Sequence, residues 1–135
     1  MRVGLDTWFL YHLAERQEDC LTLLRQEEEF IVSALTIFEM TRFSLQRGTS
    51  QLARELVQLC QTLTLTIPVD VPLAERAAHY AHGLGLGMGD AIILTTALLK
   101  DCEYFITGDS DFAIVEQQGL IKVRTPAQFL AEVSS

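Results

Sequence analysis

Five short apolar segments, separated by longer stretches of helical periodicity, limit what this 135-residue chain can become. They run Val3 to Leu5, Phe30 to Ser33, Leu65 to Ile67, Tyr104 to Thr107 and Ile121 to Val123. Val3 to Leu5 reads as a buried strand, three of the others as further strands, and Leu65 to Ile67 as a β-rich stretch closed by Pro68. A helix is expected from about Trp8, and another runs to about Glu28. Leu35, Phe38, Arg42, Phe43 and Leu45 then fall near helical spacing up to a stop at Gly48. Ser50 is read as the cap of a helix through about Leu63, with Leu52, Leu56, Leu59 and Leu63 on one face. Pro72 begins a helix to about His82, Asp90 to Leu99 reads as a buried helix, and Thr125-Pro126 opens the last one. Strands alternating with helices predict a single α/β domain over residues 1–135. Its mainly parallel sheet of four to five strands would be covered by helices on both faces. In such sheets the functional crevice lies beyond the carboxyl ends of the strands.

That rule gathers four acids. Asp6 ends the first strand, and Asp109 follows two residues after the strand at Tyr104 to Thr107. Asp90 heads the apolar helix, and Glu39 lies about one turn into the helix after the second strand. Each has an ordinary explanation alone: Asp6 and Asp90 as helix N-caps, Asp109 and Asp111 as turn formers in Gly108-Asp109-Ser110-Asp111. Glu39 is the hardest to dismiss, because it lies among Leu35, Ile37, Phe38 and Met40, where an unpaired carboxylate is costly. Bringing four like charges together is strongly unfavourable, so their convergence implies bound cations. Oxygen ligands without His or Cys favour Mg²⁺ or Mn²⁺ over zinc. Such ions activate water and stabilise charge in phosphodiester hydrolysis.

A net charge of -8 with only ten basic residues sits awkwardly with a nucleic-acid substrate. A cation shared among the acids removes part of the conflict. The remainder predicts weak non-specific RNA binding and would welcome a basic protein partner. Apolar residues at 49% suffice for a core without disulfides. The longest uncharged apolar stretch, Ala91 to Leu99, is too short to cross a bilayer. The opening Met1-Arg2-Val3-Gly4-Leu5-Asp6 makes a poor secretory signal. Cys20, Cys60 and Cys102 are widely spaced and read as free thiols in a reducing compartment, so a cytoplasmic protein is expected.

The quartet and its surroundings resemble the PIN-domain family, and most closely a VapC-type toxin ribonuclease. The matching pieces are Gly4-Leu5-Asp6-Thr7, Ser33-Ala34-Leu35-Thr36-Ile37-Phe38-Glu39, Gly89-Asp90-Ala91-Ile92-Ile93-Leu94-Thr95-Thr96-Ala97 and Phe105-Ile106-Thr107-Gly108-Asp109-Ser110-Asp111-Phe112. They fall in the family's order from end to end of the chain. The resemblance implies a PIN-like fold, Mg²⁺ or Mn²⁺ dependence, RNA as substrate, an antitoxin that blocks the site, and a homodimer. It carries over Asp6, Glu39, Asp90 and Asp109 as metal-site acids, with Asp111 as an auxiliary catalytic acid. Thr107 joins the catalytic set and Thr7 the substrate contacts, both as hydrogen-bonding partners for the carboxylates or a water. One departure stands out: Asn often follows the Asp-Thr pair in this family, and here the residue is Trp8. Arg42, one turn beyond Glu39, is the best candidate for touching a phosphate, with Arg47 second; its alternative is an ion pair with a site carboxylate.

Other signals carry less. The alternating glycines of Gly83 to Gly89 fit no phosphate-binding fingerprint and read as a flexible connection delivering Asp90. His79 and His82 lack a third ligand, and Ser33 lacks a base. Two alternative functions remain. A haloacid dehalogenase-like phosphohydrolase would need a second Asp two residues after Asp6, where Trp8 stands. A catalytically inactive PIN-like binding module would show first as a lost acid, and none is lost.

Overall fold

The computed structural model describes residues 1–134. Its elements run β1 (Arg2–Leu5), α1 (Thr7–Ala14), α2 (Glu18–Leu24), β2 (Glu29–Ser33), α3 (Ala34–Gln46), α4 (Ser50–Leu63), β3 (Thr64–Ile67), α5 (Val71–Leu84), α6 (Met88–Leu99), β4 (Tyr104–Ile106), a 3-10 turn (Ser110–Phe112), α7 (Ala113–Gln117), β5 (Lys122–Arg124) and α8 (Pro126–Val133). One sheet of five strands has the order β3-β2-β1-β4-β5, and all its pairings are parallel. The chain starts at the central strand, works outward through β2 and β3, then crosses back to β4. The order therefore reverses between β1 and β4, and a crevice opens at such a point beyond the carboxyl ends.

Side chains alternate across the sheet as the pleat requires. Val3, Leu5, Phe30, Val32, Tyr104 and Ile106 meet Phe9, Leu10, Leu23, Met40, Leu56 and Phe129 on one face. On the other, Phe105 packs with Ile93, Leu94, Ala97, Phe112, Val115 and Ile121. The expected α/β architecture, a parallel sheet with helices on both faces, is thus the observed one. Gly4 points toward α6, where a Cβ would lie only 2.7 Å from that of Ala97. The missing side chain lets α6 lie close against the central strand.

Several boundaries differ from the sequence expectation. The second helix ends at Leu24, and the chain enters β2 at Glu29, where Arg2 and the N-terminal ammonium pair with Glu29 and Glu28. Ser50 does not cap α4; Thr49 holds the cap position without a side-chain cap bond, its hydroxyl donating instead to the Ser44 carbonyl. The buried stripe of α4 is Ala53, Leu56 and Cys60, whereas Leu52 and Leu63 are exposed. Similarly α3 buries Thr36, Met40 and Ser44 and leaves Phe38 and Leu45 outside, 59% and 60% exposed. Helix α5 starts one residue before Pro72, capped by Asp70, whose carboxylate accepts from Leu73 N–H. The glycine run is not one connection: Gly83 lies in α5, Gly85 ends it in the left-handed conformation, and Gly87 and Gly89 open α6. His79 and His82 are both exposed on α5. The three cysteines are free thiols. Among the described residues no single helix is long and apolar enough to cross a membrane.

Candidate metal centre

Parallel pairing sets the site. Register places Leu5 beside Ile106, and the ladder continues one step further as Asp6 N–H donates to the Ile106 carbonyl at 3.1 Å. Asp6 and Thr107 therefore leave the two central strands side by side. Asp6 is the N-cap of α1: its Oδ1 accepts from Thr7 N–H at 2.8 Å, while Oδ2 accepts from the Thr107 hydroxyl at 2.7 Å. The ordinary explanation for this residue is true and does not exhaust it. A cap normally faces water, whereas Asp6 is only 4% exposed. Burial, with Asp90 and Asp109 nearby, pushes its carboxyl up to about 7 against the two hydrogen bonds that favour the charged form.

Asp109 is also a cap, for the 3-10 turn, its Oδ1 accepting from Asp111 N–H at 2.9 Å. The Thr107 hydroxyl that donates to Asp6 accepts in turn from Asp109 N–H at 3.0 Å. One threonine thus ties the two acids into a single hydrogen-bonded chain. Asp90 does not cap α6; Gly87 holds that position, and Asp90 lies in the first turn without a side-chain cap bond. One carboxylate oxygen from each of Asp90, Asp109 and Asp111 lies within 4.8 Å of the other two. Burial raises the Asp90 carboxyl to about 6, helped by the charges of Asp109, Asp111 and Glu39.

Glu39 is half-buried; of the apolar residues around it in sequence, Phe38 faces solvent, Leu35 and Ile37 are half-buried and Met40 is buried. Its Oε1 accepts from the Thr7 hydroxyl at 2.7 Å. Its Oε2 reaches the start of α6, where a Cβ on Gly89 would come within 3.1 Å. The positive end of the α6 dipole faces this cluster and favours its negative charge. Thr7 therefore serves two acids, Asp6 through its amide and Glu39 through its hydroxyl, and its side chain also lies 3.0 Å from the Thr36 hydroxyl.

The structure thus gathers Asp6, Glu39, Asp90, Asp109 and Asp111 at one sheet edge, with Thr7 and Thr107 between them. Arg42 is exposed and Arg47 lies over the Phe43 ring. Among the described residues the ion pairs are those of the N-terminus, Arg2 and Arg124, so no arginine or lysine neutralises any of the five acids. Such a set of uncompensated oxygen donors is chemically suited to a hard divalent cation. Thr36 and Tyr11 escaped the sequence reading. The Tyr11 hydroxyl lies 3.4 Å from the Glu39 carbonyl, and burial beside Glu39 and Asp6 raises its pKa. Its position four residues after Thr7, on the same face of α1, was the available signal.

No curated protein sequence matches the chain. Solved structures share its fold. VapBC2 from Rickettsia felis, bound to a DNA fragment from its promoter, superposes with a TM-score of 0.75 at 12% identity, covering 93% of this chain and 98% of that one. A toxin-antitoxin complex from Klebsiella pneumoniae gives 0.72 at 25% identity over 93% and 98%. The sarcin-ricin loop cleaving toxin VapC20 from Mycobacterium tuberculosis gives 0.73 at 18% identity over 90% and 98%. The family model for the PIN domain matches residues 3–117, a span that contains all five acids. The chain belongs to the PIN-domain family.

Proposed function

We propose that this protein is a divalent-metal-dependent endoribonuclease, acting as the toxin of a type II toxin-antitoxin pair. The observation that carries the reading is the convergence of five carboxylates with no basic partner among the described residues. Asp90, Asp109 and Asp111 offer oxygens within 4.8 Å of one another, Asp6 is joined to Asp109 through Thr107, and Glu39 is near enough for its charge to raise the Asp90 carboxyl. Asp6, Glu39, Asp90 and Asp109 would hold Mg²⁺ or Mn²⁺, with Asp111 at the exposed rim. A bound cation of this kind supplies positive charge to a phosphodiester and lowers the pKa of a water toward neutrality. The chain's own residues set the stage. Thr107 and the Thr7 amide fix the two oxygens of Asp6, and the Thr7 hydroxyl fixes Glu39. Because that hydroxyl is buried and engaged, Thr7 fits the role of holding carboxylates better than that of touching RNA. Arg42 is free to meet a phosphate one helical turn from Glu39. The toxin-antitoxin assignment takes its support from the neighbours: the Klebsiella structure is a toxin-antitoxin complex and the Mycobacterium protein a sarcin-ricin loop cleaving toxin. An antitoxin partner, a homodimer and a cytoplasmic location belong to the same reading. The haloacid dehalogenase alternative has no support, since position 8 is Trp8 and the family match is to the PIN domain.

Cleavage of total cellular RNA, with cut sites mapped, tests the proposal. The parent should cut in Mg²⁺ or Mn²⁺ and stop in EDTA. Asp6→Asn should lose at least ~10²-fold in rate, on the scale of removing a principal electrostatic group, with unchanged circular dichroism. Cutting that persists in the variant, or in EDTA, would refute a metal nuclease at this site.

A further inference from the structure

Trp8 is the chain's only tryptophan, and it stands two residues after Asp6. It is half-buried, and its benzo ring presses on the turn that follows β4. A Cβ on Gly108 would fall 2.2 Å from Trp8 Cζ2, 2.5 Å from Cε2 and 2.9 Å from Cη2. The backbone does not ask for glycine there. Among the described residues the glycines with positive φ are Gly48, Gly85 and Gly119. Space alone requires glycine at 108, and the indole takes that space.

Trp8 is itself pinned. His12, one turn further along α1, stacks on the indole with ring centroids 3.8 Å apart and planes 22° from parallel. Its Nδ1 donates to the Trp8 carbonyl at 2.8 Å, which fixes the imidazole against the ring. The indole is therefore a rigid part of α1 that reaches across to the neighbouring turn. That turn carries Thr107, which donates to Asp6, and Asp109 itself. Glycine is the residue with the most backbone freedom, and at Gly108 the indole adds a steric restraint to the hydrogen bonds of Thr107 and Asp109.

The geometry points to Trp8 as a positioning residue of the metal centre: seated against Gly108, it fixes the turn that presents Thr107 and Asp109. Trp8 and Gly108 are then one feature written at two positions. The consequence for cation binding rests on the proposed reading of the carboxylates as ligands; the restraint on the turn does not.

Backbone ¹⁵N relaxation and Mn²⁺ calorimetry on the parent, Trp8→Ala, Gly108→Ala and the double variant test this. In Trp8→Ala the order parameters of Gly108 and Asp109 should drop from about 0.85 to below about 0.6, while those of β4 and α6 stay rigid. Mn²⁺ affinity should fall at least ~10-fold, the usual scale for losing a group that orients a ligand. Gly108→Ala should cost a similar factor alone because its methyl meets the indole. Added to Trp8→Ala it should cost under about 2-fold, since the clash is gone and the two changes are coupled. Unchanged order parameters in Trp8→Ala, or an equal cost of Gly108→Ala in both backgrounds, would overturn the proposal. A parent that binds no Mn²⁺ would end the metal-nuclease reading by itself, and the order parameters would still decide the role of Trp8.

Discussion

At Asp6 burial and hydrogen bonding pull in opposite directions, and burial wins. Two donors serve its oxygens, yet burial pushes its carboxyl up from the ordinary 3.8 to about 7. A carboxyl raised in the folded state binds its proton more tightly there than in the unfolded chain. Its contribution to stability is therefore favourable only at low pH, declines as pH rises from about 4 to about 7, and is lost above that. Asn at this position carries no charge to desolvate, and the Thr107 hydroxyl can rotate to accept from its amide. In EDTA, Asp6→Asn should be more stable than the parent at pH 8 by an amount on the order of a few kcal/mol, with the gain shrinking toward pH 5. Urea unfolding at the two pH values measures this, and an equal difference at both would show that Asp6 is not destabilising as an anion. Saturating Mn²⁺ should stabilise the parent more than the variant, because a ligand stabilises the state it binds. The acids themselves were legible in the sequence because strand ends and turn composition are local. Thr7 and Thr107 were legible as partners but not in their division of labour, which depends on the β1–β4 register. The Trp8–Gly108 fit was not legible at all, since the two residues are a hundred positions apart and neither follows a local rule.

Strands were the most legible elements, each found to within a residue. β1, β2 and β4 are apolar runs buried on both faces, while the edge strands β3 and β5, half exposed with Leu65 at 50%, were marked by β-rich composition alone. Helices α3 and α4 show what defeats periodicity: both carry more apolar residues than the core accepts, and small residues such as Ala53 and Ser44 take the buried positions instead. Which stripe faces inward depends on the distance between packed elements, and glycine sets that distance between β1 and α6. A methyl on Gly4 would meet Ala97 at 2.7 Å and the Phe105 ring at 3.3 Å, with backbone behind both. Gly4→Ala should therefore destabilise the protein by about 1–3 kcal/mol, the usual cost of overpacking a core. Gly83 makes the matching control: it lies inside α5 with nothing within 4 Å of a Cβ. Gly83→Ala should stabilise by roughly 0.5–1 kcal/mol through the unfolded chain and helix propensity. Urea midpoints of the two variants should move in opposite directions; a common direction would mean that close approach of α6 to β1 is not what Gly4 provides.

Over the whole molecule the arginines matter more than the net charge of -8. Arg2 pairs with Glu29, and Arg124 is held by Glu116 and Glu132. Arg54 donates to Gln51, and Arg47 lies over Phe43. Arg42 is exposed on α3, one turn from Glu39, and forms no ion pair among the described residues, so the alternative of a partnership with a site carboxylate is not the one observed. An acidic surface repels RNA, and the free energy of a phosphate contact then comes from few cations. Each contact to single-stranded RNA releases counterions worth a slope of about -0.7 in log affinity against log salt. Removing one of few contacts should thus be conspicuous. In saturating Mn²⁺, Arg42→Ala should lower kcat/KM for RNA cleavage by about 10-fold, within the range of a charged contact. The dependence of log kcat/KM on log salt should become shallower by about 0.7. Because Arg42 touches none of the acids, Mn²⁺ affinity should stay at the parent value. A variant that loses rate while keeping the parent's salt slope would place Arg42 outside the RNA path and move the search for phosphate contacts to a second subunit or a basic partner.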